Sequence, residues 1–328
     1  MKIRVFLSSI LAVLVAVAAG GDVSAASKRI YITNAGNNTV SILDTATNEI
    51  INTFRVGVWP AGITIDAAAN RAYVANSSQA DNTISIIDLA SNSVLSSVKT
   101  GQGPMNTAVS PDGKSLYITD TEDKAQTVTV IDLATGKESG KLSVGTSPFD
   151  LAFVGTTLYV TNAVDSTVSV LDTVGGSVLA TIKVCSTPIG IVYNPDSKLL
   201  YAPCHSDSAV AVIDTATNTL KSTIKVGDRP WGVALDRKGG KAYVSNRYGN
   251  DVSVVDLATN AVTGTIAVGK EPVSLTVDSS GKKLYVVNHA DVSLSIVDTV
   301  SGAVTDTVKL TPSTDSAYAG SPWDIAIH

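Results

Sequence analysis

The chain has few reactive residues and no familiar catalytic signature. It contains no GxSxG elbow, HExxH helix, Walker loop or dinucleotide fingerprint, so the usual sequence grounds for enzyme chemistry are missing. There is no CxxCH, and covalent c-type haem attachment is not indicated. Basic runs are lacking as well. Against 24 Lys and Arg stand 29 Asp and Glu, a net charge of -5, which argues against nucleic acid even though Arg229, Arg247 and Lys270 are available. No helical periodicity of useful length occurs after the N-terminal stretch, and no later apolar run approaches membrane-spanning length. Aromatic residues are only 5% of the chain, while Val, Ile, Thr and Ser are abundant. That balance is the composition of a β-rich soluble protein.

The first 25 residues stand apart. Lys2 and Arg4 precede an apolar run from Val5 to Ala19, and Val23-Ser24-Ala25 supplies small residues before Ala26. This is the pattern of a secretory signal peptide cut after Ala25, with residues 26–328 as the mature domain. No Cys follows the apolar run, so a lipoprotein anchor is not expected.

What the remainder does contain is one unit repeated seven times. Its Tyr anchors are Tyr31, Tyr73, Tyr117, Tyr159, Tyr201, Tyr243 and Tyr285, spaced by 42, 44, 42, 42, 42 and 42 residues. A period of this length is the mark of a repeat architecture. Each unit reads as four short strands: one after a Pro, one carrying the Tyr, a Thr/Val alternation ending in Asp, and a fourth of similar length. The alternation of two marks half-buried strands. Consecutive antiparallel strands of this kind form a four-stranded blade, and seven blades set radially form a β-propeller. An open stack would leave two raw edges. The chain's ends avoid that: Arg29–Thr33 is a second strand with no first before it, and Pro322–Ile327 is a first strand with no second after it. The expected fold is an all-β, seven-bladed propeller whose C-terminal strand completes the N-terminal blade. A closed ring needs no partner for its edges, and a monomer is the expectation.

Tyr31-Ile-Thr-Asn34, Tyr73-Val-Ala-Asn76, Tyr159-Val-Thr-Asn162 and Tyr243-Val-Ser-Asn246, with Asn38–Asp44 and Pro230–Ala234, resemble the YVTN-type β-propeller repeat. The resemblance spans residues 28 to 328. It implies a periplasmic, secreted or cell-surface protein. Such proteins include surface-layer components and propellers with lactonase-like annotations, so it speaks to location more than to chemistry.

The seven copies act as an internal control. Asp44, Asp88, Asp132, Asp172, Asp214, Asp256 and Asp298 recur at one place and are read as turn caps. The Asn after each Tyr is read as structural too. Pro60, Pro104, Pro148 and Pro188 are expected to extend the chain entering each inner strand. Departures from the pattern gather on one rim, at the channel mouth. Trp59, Phe149, Arg229, Trp231 and Trp323 flank the Pro positions, and Asp150 and Asp324 replace the Gly seen at Gly62, Gly190 and Gly232. Cys204, His205, Arg247, Tyr248 and His289 come to the same rim from the other loops, together with the irregular segment 311–321. Aromatics with Arg suit ligand binding, and the candidate contact set is Trp59, Phe149, Arg229, Trp231, Arg247, Tyr248 and Trp323. Packing between blades is the rival reading.

Cys185 and Cys204 flank a hairpin that brings them close, and three readings stay open: a disulfide, free thiols, or a Cu or Zn site shared with His205 and, less easily, His289. Asp150, His289 and Asp324 are the candidates for general-base chemistry, which would also call for a divalent cation at the mouth; ordinary structural roles compete for each. The expected function is recognition, without a cofactor, of an envelope protein, glycan or small molecule at the mouth. The alternative is a metal-assisted, lactonase-like hydrolase or lyase.

Overall fold

The structure is a computed structural model and describes residues 28–122, 125–310 and 321–328. Among these residues there are strands β1 (Arg29–Asn34) to β28 (Pro322–Ile327), numbered in chain order, with a 3-10 turn at Ala35–Asn37. They form seven antiparallel four-stranded sheets. Blade 1 has the order β28-β1-β2-β3, and blades 2 to 7 follow as consecutive meanders of four. The chain closes as expected: Ile30 pairs with Ile327 and Tyr31 with Ala326. The proposed signal peptide and most of segment 311–321 lie outside the described residues.

First strands of neighbouring blades pack on one another around the axis, as β4 (Pro60–Asp66) does on β8 (Pro104–Val109) and β20 (Pro230–Asp236) on β24 (Pro272–Val277). The core lies between blades. Tyr31, Tyr73, Tyr159, Tyr201, Tyr243 and Tyr285 are almost wholly buried there. Tyr31 and Tyr201 also donate their hydroxyls to Asn92 and Asn260 in a turn of the next blade, at 2.9 and 3.0 Å. Tyr31 and Tyr201 thus combine a large apolar area with a polar tip that reaches a neighbour.

The recurrent Asp residues cap turns. Asp44 Oδ1 accepts the amide of Ala46 at 2.7 Å, and Asp298 Oδ1 that of Ser301 at 2.7 Å. The recurrent Asn is a clasp inside the blade. Asn162 Nδ2 donates to Thr167 and Ser169 hydroxyls at 3.0 and 2.9 Å, and Asn288 does the same to Ser293 and Ser295.

Two local expectations are corrected. The first strand of blade 5, expected from Pro188 onward, is reduced to Val192–Asn194 with an isolated Pro188–Cys204 bridge. Its partner strand carries Pro203, which has no amide hydrogen to give to the ladder. The residue before each Pro was expected to be extended. Instead Trp59, Gly103, Ser147, Thr187, Arg229 and Glu271 are left-handed, with φ from 51 to 61°. The amides of Trp59 and Glu271 are held by Asn38 and Asn250 side chains of the preceding blade, both at 2.9 Å, so tertiary contacts overcome the local preference.

Candidate functional site

The site begins with a kink in the first strand. In blade 4, Pro148 pairs with Asn162 but Leu151 pairs with Val160, so one extra residue is accommodated between them. The same shift follows Pro60, Pro104, Pro230, Pro272 and Pro322. Such a bulge bends a strand and re-aims its side chains. In three blades two consecutive residues after the Pro line the channel cavity: Phe149 and Asp150, Trp231 and Gly232, and Trp323 and Asp324.

The upper layer is aromatic in three blades. Phe149 and Trp231 meet edge to face at 5.7 Å, and Trp231 and Trp323 at 5.4 Å. His205 packs on Trp231 at 5.2 Å, and His289 on Trp323 at 5.4 Å. Arg247 lies 4.8 Å over the Trp231 ring and 5.8 Å from Tyr248. These residues were selected singly as departures from the repeat, and the fold brings them into one contiguous cluster. Tyr248 is 55% exposed and Trp59 38%. Trp59 joins Arg247, His289 and Trp323 around a slot of about 130 Å³. Arg229 stays at the edge and reaches Ser206 Oγ at 3.4 Å.

Just beneath is a polar layer. A cavity of about 150 Å³ is lined by Asp150, Asp324, Asn106 and Ser274 below the aromatic residues. Asp150 Oδ2 accepts the amide of Ile191 in the next blade at 2.9 Å, and Asp324 Oδ2 that of Ile63 at 2.9 Å. Ser274 donates to Asp324 Oδ1 at 2.5 Å. Each Asp therefore fastens one blade to the next. Burial pushes the Asp150 carboxyl up to about 7, with Asp324 adding to the rise and the amides of Leu151 and Ile191 opposing it. Burial raises Asp324 likewise.

The two His rings have defined tautomers. His205 Nδ1 lies 3.3 Å from the Pro230 carbonyl, and His289 Nδ1 3.1 Å from that of Pro322. A carbonyl only accepts, so Nδ1 carries the hydrogen and Nε2 is the lone-pair nitrogen in the neutral ring. Burial lowers both pKa values, and Arg247 lowers them further.

The metal reading of Cys185, Cys204 and His205 is overturned. Cys185 and Cys204 are bonded to each other, 5.6 Å apart at Cα, and a disulfide has no thiolate to offer a metal. Among the described residues no three of His, Cys, Asp and Glu converge as a metal-binding group.

Glu271 was not foreseen. Its Oε2 receives both Nε and Nη2 of Arg247, at 3.0 and 2.8 Å. A signal existed, since Glu271 occupies the pre-Pro position that also drew attention to Trp59 and Arg229. Asn106 and Ser274 were likewise visible as departures from Gly at the second position after Pro.

Residues 16–156 match the family model of YNCE-like β-propellers. That is a β-propeller family. No curated protein is significantly similar to the chain in sequence. Among solved structures, Kuenenia stuttgartiensis hydrazine synthase is 20% identical with a TM-score of 0.74, covering 82% of this chain and 92% of its own. A functionally unknown protein from Desulfotomaculum acetoxidans DSM 771 is 15% identical with a TM-score of 0.77, covering 92% and 99%. The dihydro-heme d1 dehydrogenase NirN, in complex with DHE, is 15% identical with a TM-score of 0.67, covering 91% and 74%. At these identities the likeness is one of fold. The disulfide points to a non-cytoplasmic location, and no helix of the described residues is long and apolar enough to cross a membrane.

Proposed function

We propose that this protein is an exported, monomeric propeller of the YVTN-repeat type that recognises an envelope protein, glycan or small molecule at the mouth around Trp231. The observation that carries this reading is the contiguous cluster of Phe149, Trp231, Trp323, His205, His289 and Arg247. Six of the repeat's exceptional residues meet there, whereas the residues common to the copies are occupied in blade packing. Rigid aromatic side chains give contact area at low entropy cost, and an Arg–Glu pair gives direction. The N-terminal pattern of residues 1–25 and the Cys185–Cys204 disulfide support export.

A hydrolytic reading draws on Asp150, whose carboxyl is raised to about 7 within the channel cavity. Against it, both carboxylate oxygens already accept backbone amides, which leaves Asp150 a blade fastener first. Recognition is therefore preferred. The test is sedimentation of the purified protein with an isolated cell-envelope fraction. Saturable binding that drops at least tenfold in Tyr248→Ala and Trp231→Ala, with folding intact by circular dichroism, is expected. Binding indifferent to both substitutions would overturn the reading.

A further inference from the structure

The turn that leads into the first strand of blade 6 departs from its relatives. In blades 2, 4, 5 and 7 the second residue before the Pro gives its amide to an Asp in the loop between the second and third strands of the same blade. The pairs are Val58 with Asp81, Thr146 with Asp165, Ser186 with Asp207 and Lys270 with Asp291, the last three at 2.6, 2.8 and 2.7 Å. The next amide along is held by an Asn of the preceding blade at Trp59, Gly103 and Glu271, through Asn38, Asn82 and Asn250. Consecutive N–H groups in such a turn form a small concavity that suits an anionic oxygen. The four Asp residues show that a carboxylate fits it.

Blade 6 has neither partner. Gly249 stands at the Asp position, and Ser208 stands at that of the Asn. The amides of Asp228 and Arg229 accordingly have no hydrogen-bond acceptor among the described residues. The turn itself keeps its shape. Arg229 is left-handed at φ 53°, and the carbonyls of Arg229 and Asp228 accept the amides of Arg247 and Tyr248 at 2.9 and 3.3 Å. Two aligned donors are therefore held in place by a turn that lacks the side chains which engage them elsewhere.

The surroundings favour a carboxylate from outside. The Arg229 guanidinium lies 3.4 Å from Ser206 Oγ, on the loop that carries Ser208, and it has no carboxylate partner among the described residues. Asp228 is itself exposed, so its charge and that of Arg229 balance on the turn. An incoming carboxylate would gain two amides and a guanidinium, and such charge-assisted bonds are roughly twice as strong as neutral ones. A cation would meet only donors. Tyr248, beside Gly249, is 55% exposed and offers an aromatic surface next to the turn.

We propose that the turn at 227–229, between the loops of Ser206 and Gly249, binds the carboxylate of an Asp or Glu side chain on a partner protein. The sister turns each receive an Asp carried on a protein loop, and an acidic residue on a partner's loop is the nearest copy of that contact. This rests on the reading of the mouth as a recognition surface and gives the partner a chemistry.

The experiment titrates the full, ¹⁵N-labelled chain with N-acetyl-aspartate N-methylamide and follows the amide signals of Asp228 and Arg229. The asparagine analogue, glucuronate and inorganic phosphate are the comparators. The aspartyl probe should move both signals in a saturable way, and the asparagine analogue should bind at least tenfold more weakly. Gly249→Asp and Ser208→Asn supply from within the chain the side chains that other blades carry. Each should weaken the aspartyl probe at least tenfold while leaving the melting temperature equal to the parent's or higher, so the loss is not one of folding. Ser208 is already left-handed at φ 51°, a conformation Asn tolerates well. Arg229→Gln should weaken the probe as well. Unmoved amide signals, an asparagine analogue that binds equally, or a probe affinity unchanged in all three variants would overturn the proposal. Tighter binding of glucuronate or phosphate would overturn the assignment to a protein side chain. In each of these cases, loss of envelope binding in Tyr248→Ala and Trp231→Ala would still stand for the wider mouth, so the two readings fail separately.

Discussion

Cys185 is bonded to Cys204 at the place where other blades press a glycine against an amide or carboxyl side chain. Gly57 faces Asn76, Gly101 faces Asp120, Gly145 faces Asn162, Gly227 faces Asn246 and Gly269 faces Asn288. A Cβ built on these glycines would lie between 2.1 and 2.6 Å from that side chain. In blade 5 the close approach is covalent instead. The neighbours have changed with it. The hydroxyls that receive the Asn clasp elsewhere, such as Thr167 and Ser169, are replaced by Ala209 and Ala211. An Asn at position 204 would have no local acceptor.

Reducing or removing this disulfide should therefore cost stability. The closed loop has a sequence separation of 19, for which a loss of about 3 kcal/mol is expected. Cys185→Ser with Cys204→Ser should lower the melting temperature by several degrees and abolish its response to reductant. Cys185→Gly with Cys204→Asn should not recover it, whereas adding Ala209→Thr and Ala211→Ser should. Equal melting temperatures for the double and quadruple variants would contradict the clasp argument.

The Tyr residues differ in a measurable way. Tyr201 donates to Asn260 at 3.0 Å, while the Tyr285 hydroxyl is buried with no partner among the described residues. Tyr201→Phe should cost about 1 kcal/mol, and Tyr285→Phe should be neutral or slightly stabilising. Tyr201→Ala, which also opens a cavity between blades, should cost about 3–5 kcal/mol. Chemical denaturation of the three variants checks the order.

Stability should decline as pH rises from about 4 to about 7. Asp150 has a folded pKa raised to about 7, above its ordinary value. The folded state therefore holds a proton that the unfolded chain has released across this window. The resulting stabilisation is complete below the unfolded pKa and is lost as pH passes through the folded one. Asp324 is raised in the same direction. Denaturation midpoints measured at intervals from pH 4 to 8 should show the slope, and Asp150→Asn should flatten it. A parent slope of the opposite sign, with no change in the variant, would rule out Asp150 as its source.

Arg247 should matter through its shape as well as its charge. It is bidentate to Glu271 and stacked on Trp231, and a Lys ammonium can reproduce neither geometry fully. Arg247→Lys should weaken envelope binding severalfold while shifting the melting temperature little. A binding curve superimposable on the parent would show that the planar group is not used.

The architecture was legible because its instructions occur seven times. A Tyr anchor near every forty-second residue, an Asp ending each third strand and a half-blade at each end leave a closed ring as the consistent arrangement. The mouth was legible by subtraction. Trp231, Arg247, His289 and Asp150 stood out against small or recurrent residues at equivalent positions. Their contacts were not legible, because edge-to-face packing depends on the bulge after each Pro, and the bulge leaves no residue signature. The left-handed turn at Trp59 and Arg229 was hidden for a related reason. Neither residue favours positive φ, and the conformation is imposed by a hydrogen bond from the preceding blade in one case and by the common turn in the other.

Period, strand order, ring closure and the identity of the exceptional residues were settled by the sequence alone, since each depends on local pattern repeated along the chain. Tertiary structure decided the rest. It joined Cys185 to Cys204 and so withdrew them from metal chemistry, turned Asp150 and Asp324 into links between blades, and set Glu271 against Arg247. Those outcomes depend on distances between residues about 20 to 260 positions apart, which only the closed ring brings within bonding range.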